Sequence, residues 1–101
     1  MNTEHGIIQG NVEITSGLEL YGMITGNATV KHGGVLVLHG MASKNVIVEE
    51  GAMAEIPCMV SGDVINRGGD LSISGTVVGG LFEESGTTQV ASDAVIGTRN
   101  A

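Results

Sequence analysis

The sequence predicts an all-β fold: a single-stranded, three-sided β-helix, or β-solenoid, of about five coils of 16–18 residues, forming one domain over residues 1–101 with its repeats at about 6–97. Three observations predict it. Six segments begin alike: GIIQG at 6–10, GMITG at 22–26, GMASK at 40–44, CMVSG at 58–62, GTVVG at 75–79 and DAVIG at 93–97. Their starts lie 16, 18, 18, 17 and 18 residues apart, a period too short for a helical hairpin and suited to one turn of a solenoid. Val12, Leu18, Ile24, Val30, Leu36, Ala42, Val48, Ala54 and Val60 place an aliphatic residue at nine consecutive sixth positions. A step of six within a repeat of eighteen gives each coil three similar faces. Finally, 17 glycines and 1 proline, Pro57, supply the turns that tight coils require.

Each coil opens on a short strand whose third position is apolar in every row: Ile8, Ile24, Ala42, Val60, Val77 and Val95. A glycine follows at the fifth position, Gly10, Gly26, Gly62, Gly79 and Gly97, with Lys44 breaking the column. Glycine there indicates a corner at which a side chain would collide or φ must be positive. The sixth position carries Asn11, Asn27, Asn45 and Asp63, then Gly80; stacked side chains at successive corners are expected to hydrogen bond to one another and to the turn backbone as a ladder. The next strand places Val12, Ala28, Val46, Val64 and Leu81 at the seventh position and Ile14, Val30 and Val48 at the ninth. This alternation is the period of a strand with one face buried. Beyond Val60 the six-residue rhythm slips, resuming at Ile65, Leu71 and Val77, which predicts a shortened corner or bulge in the fourth coil. In the fifth coil Gly80 ends the ladder and Glu83 enters an aliphatic column, the polar character of a capping coil. Strands ~4.8 Å apart make five coils a rod about 24 Å tall.

Composition narrows the function classes. Tyr21 and Phe82 are the aromatic residues of a chain that is 42% hydrophobic, so the core is aliphatic and thin. The net charge of −7, from 11 acidic and 4 basic residues, disfavours nucleic acid and anionic lipid. A basic protein would be attracted. No apolar run approaches the ~20 residues that cross a bilayer, and the first residues have no signal-like character, so a cytoplasmic location is expected and no membrane insertion. A lone Cys58 makes no internal disulfide and reads as a small, partly buried thiol.

The rows GMITGNATVKHGGVLVLHG and SGDVINRGGDLSISGTVVGG, with Gly-x-(Ile/Val)-x-Gly before short aliphatic strands and a second glycine corner, resemble the bactofilin family of polymer-forming bacterial proteins over residues 6–97. The resemblance implies a right-handed three-sided β-helix, without catalysis or cofactor, whose ends meet in non-polar filaments. The six-residue rhythm also resembles the left-handed hexapeptide-repeat acyltransferases, although the glycine-framed rows fit that pattern less well. The sequence leaves the hand of the coil open.

Candidate chemistry is sparse. A hexapeptide-type acyltransferase needs a histidine base at a subunit seam, and metal-dependent relatives need three histidines on zinc. His5, His32 and His39 are expected at different corners, so no catalytic, cofactor-binding or metal-ligating residue is assigned and the protein is not expected to be an enzyme. Glu49 and Glu50, and Glu83 and Glu84, precede glycine corners two rows apart; they lack an Asp-rich calcium loop and stand as a solvated edge or as a contact for a basic protein. Two readings follow. The first is a bactofilin-like structural protein whose partner is itself, joined through solenoid ends or sides. The second is a small acidic immunity-type protein that neutralises a basic toxin. An acyltransferase is a distant third.

Overall fold

A computed structural model of the chain describes residues 2–57 and 59–100, with the backbone alone for Asn2 and for 98–100. The expectation for Cys58 lies outside the described residues. The secondary structure is all β, in parallel strands stacked as a solenoid of about five turns. Among the described residues no helix is long and apolar enough to cross a membrane.

Three faces arise because the same part of each coil always pairs with its counterpart in the next. The first face stacks Asn2–Glu4, Gly17–Leu20, Val35–Leu38 and Met53–Ile56, then residues 70–73 and 87–90. The second stacks Ile7–Ile8, Met23–Ile24, Met41–Ala42 and Met59–Val60, then 76–77 and 95–96. The third stacks Val12–Ile14, Ala28–Val30 and Val46–Val48, then 64–66, 81–83 and 98–100. Every other residue of a strand points inward. The second coil therefore contributes Ile24, Ala28, Val30, Leu36 and Leu38 to a core in which all five are 0% exposed. No coil closes a core alone; each needs the layer above and below.

The two glycine corners have different physical causes. In the fifth-position column the coils approach so closely that a Cβ on Gly26 would overlap the Gly10 carbonyl group. The second corner requires positive φ, which Gly33, Gly51, Gly68 and Gly86 supply at 83°, 79°, 138° and 82°, a conformation that Gly10 alone adopts in the fifth-position column, at 80°.

Three expectations are corrected. The slip in the fourth coil does not resume at Ile65: Val64 stacks on Val46 and is fully buried, while Ile65 faces outward beside Ile47. The missing residue lies further on, between Asn66, which pairs with Val48, and Asp70, which pairs with Met53. Backbone pairing continues through that bend, so Val64–Ile73 and Thr76–Val90 are continuous strands of 10 and 15 residues. Secondly, Val95 is 60% exposed, and Ile96 takes the inward place above Val77. The sixth segment sits one residue later than its sequence start implies, because Asp93 and Ala94 lengthen the preceding turn. Thirdly, His5 and His39 share one corner, separated by Tyr21 rather than by a change of face.

Candidate functional site

The asparagine column forms a ladder of side chain to backbone. Asn11 Oδ1 accepts the Asn27 N–H at 2.8 Å, Asn27 Oδ1 the Asn45 N–H at 3.2 Å and Asn45 Oδ1 the Asp63 N–H at 2.9 Å. Asp63 Oδ1 accepts from Gly80 at 2.8 Å, so the final rung needs an amide and no side chain. Each carboxamide satisfies a donor that the turn leaves without a ladder partner.

Glu49, Glu50, Glu83 and Glu84 do not line up as one carboxylate row. Glu83 pairs with Asn66, which pairs in turn with Val48, so it occupies an inward column and is half-buried, while Glu84 falls at the register shift between the Asn66–Glu83 and Arg67–Ser85 pairs. Arg67 sits in the coil between the two glutamate pairs, with its Nε 3.8 Å from Glu84 Oε1. The coil below brings Lys31, 3.8 Å from Glu13. Charges alternate along this corner, and exposed pairs of this kind contribute little to stability.

A different corner carries the most ordered surface chemistry. The imidazole of His5, the phenol ring of Tyr21 and the imidazole of His39 stack in sequence along the rod, with centroids 5.0 and 4.5 Å apart and planes within 10° and 6°. Glu19 lies beside them, its Oε2 3.1 Å from His39 Nε2. The Tyr21 hydroxyl is held above the usual tyrosine pKa, first by loss of water around it and then by the Glu19 carboxylate beside it. Each ring immediately precedes a row start, Gly6, Gly22 or Gly40, a column legible in the sequence once rows are aligned at their ends. His32 stands elsewhere, over Gly51, with Nδ1 3.3 Å from the Glu50 carbonyl oxygen. Among the described residues no group of three or more His, Cys, Asp or Glu side chains could hold a metal.

The N-terminal end of the rod is aliphatic and open. Ile7–Ile8 pairs with Met23–Ile24, and Val12–Ile14 with Ala28–Val30; among the described residues no strand pairs with their other edges. Ile8 and Val12 are accordingly half-buried, whereas their counterparts one coil on, Ile24 and Ala28, are fully buried. Val12 N–H and Ile14 C=O bond to the second coil, so the intervening Glu13 N–H and C=O face outward along the axis. At the far end the inward columns turn polar, with Glu83 over Asn66 and Thr88 over Leu71.

Comparison with known proteins adds no relative: no family model, curated protein or solved structure matches this chain. The fold and its surfaces define a short β-solenoid.

Proposed function

We propose that the protein is a non-catalytic assembly module of bactofilin type, whose copies join end to end. The observation that carries this reading is the open first coil, where strand edges with free backbone groups flank half-buried Ile8 and Val12. A further coil laid on that edge would complete the hydrogen-bond ladder and bury the aliphatic end, the two terms that hold every internal coil in place. The family resemblance over residues 6–97 supports the same reading independently of the geometry.

Light scattering and electron microscopy of concentrated protein test it. Mass that grows with concentration is expected. Glu13→Pro removes an amide that faces along the axis and serves no bond inside the stack, and Val12→Lys places a charge on the same end. Both variants are expected to retain the β circular dichroism of the parent, to form no filaments and to show no growth in mass beyond a dimer. A parent protein that keeps one fixed mass at every concentration overturns the reading.

A further inference from the structure

The second face has no charged side chain among its outward strand positions. Its outward columns are Ile7, Met23, Met41, Met59, Thr76 and Val95, paired coil to coil in unbroken register. Beside them run short neutral side chains, among them Thr25, Ser43 and Ser61. Ile7 is 63% exposed, Met59 39% and Val95 60%, and Val78 on the same side adds an exposed apolar side chain. The first face, by contrast, carries Glu4, Glu19, Glu55 and Asp70, and the third face and its corners carry Glu13, Glu50, Asp63 and Glu84. A chain of net charge −7 thus has one face whose outward strand positions are uncharged, whereas the outward apolar residues of the other faces, Val35, Val37 and Met53 on the first and Ile47, Ile65 and Phe82 on the third, share their faces with carboxylates. Contiguous apolar surface of this kind marks an interaction site.

We infer that this face is where two copies of the chain pack side by side, methionine stripe against methionine stripe. The inference goes beyond end-to-end joining and stands on different residues. Three arguments choose a second copy as the occupant. Like-charged copies repel everywhere else, so the neutral face is the side on which two of them meet at least electrostatic cost. The surface is flat and regular, and two sheets pack face to face at ~10 Å when side chains of middling length interleave, which unbranched methionine does readily. Size permits a small contact: a full side of 31 by 21 Å on each copy sets an upper limit of about 1,300 Å² on the area two copies bury, near the low end of the ~1,200–2,000 Å² typical of specific interfaces. A reversible pair that dissociates on dilution is therefore expected.

The test separates this contact from end joining by working in the Glu13→Pro background, and in Val12→Lys should the first not fold. Light scattering is expected to give a dimer that falls to monomer on dilution and is strengthened by added salt, because screening relieves repulsion between the acidic copies. Met41→Lys, at the centre of the stripe, is expected to give monomer throughout, as is the uncharged Met41→Ser to a lesser degree. Met53→Lys, which alters an exposed methionine of the first face, is expected to leave the dimer intact. A monomer in the end-blocked background at high concentration overturns the inference, and so does a dimer that tolerates Met41→Lys. Neither result bears on end joining, which is read in the parent.

Discussion

Asn66 Nδ2 donates to the Thr88 hydroxyl of the next coil at 2.8 Å from a position where the two preceding coils carry valine. The same amide reaches the Gly69 and Thr87 carbonyls at 3.2 and 3.0 Å, while its Oδ1 accepts the Gly68 and Gly69 N–H groups at 3.1 and 2.9 Å. One fully buried side chain therefore takes up the backbone groups released where the fourth coil is a residue short. Asn66→Val would match Val48 and Val30 of the two preceding coils yet leave several of these groups without partners, so a loss of about 3 kcal/mol is expected. That is a large part of the ~5–15 kcal/mol typical of a small domain. Asn66→Asp keeps the acceptor and loses the donor. It is expected to be worse still at neutral pH and to recover in part on acidification, since only the protonated acid can donate to a carbonyl. Urea unfolding of both variants across pH checks the pair.

The inward columns were legible because aliphatic residues recur at fixed row positions, and Ile24, Ala42 and Val60 read as core for the same reason that they pack as core. Asn66 was not legible. A polar residue in an aliphatic column resembles a break in the pattern, and the neighbouring Ile65 fits the six-residue rhythm equally well. The methionine stripe was concealed differently: Met23, Met41 and Met59 hold the second position of three rows, but an outward apolar residue and an inward one are alike in composition, and only pairing register separates them. The His5, Tyr21 and His39 stack needed alignment at row ends, because the first coil is two residues shorter than the second and shifts Tyr21 out of phase.

The asparagine ladder makes a graded prediction. Asn45→Ala leaves the half-buried Asp63 N–H without its acceptor at 2.9 Å, for an expected cost of about 1 to 2 kcal/mol. Asp63→Asn retains the oxygen that serves Gly80 and removes a carboxylate from an acidic protein, so it is expected to be neutral or slightly stabilising. Thermal melts of the two variants distinguish a hydrogen-bond ladder from a merely polar corner, in which both substitutions would be silent.

Gly33 and Gly51 occupy the same corner of consecutive coils with nearly the same φ, 83° and 79°. A Cβ on Gly33 would meet nothing within 4 Å, whereas one on Gly51 would run into the His32 ring. Gly33→Ala is thus expected to cost about 1 kcal/mol from backbone strain alone, and Gly51→Ala more. If the excess comes from the imidazole, adding His32→Ala to Gly51→Ala removes it, and a double-mutant cycle on urea midpoints measures the coupling.

Tyr21 makes the pH prediction. Its ring is stacked between two imidazoles with Glu19 beside it, so ionisation is opposed by lost hydration first and by the carboxylate second, and the pKa lies above the ordinary value of 10.0. With a single tyrosine and no tryptophan in the chain, the ultraviolet band of the phenolate reports this one group. Glu19→Gln is expected to move the titration down toward the ordinary value without reaching it, because the larger cause, lost hydration, remains. The linkage has a definite sign: the folded chain holds the proton more tightly than the unfolded one, so the contribution of Tyr21 is complete below the unfolded pKa of about 10 and is lost as pH rises through the higher folded pKa. Urea midpoints should accordingly fall more steeply above about pH 10 in the parent than in Glu19→Gln, and equal slopes would show that Glu19 has no part in holding the phenol neutral.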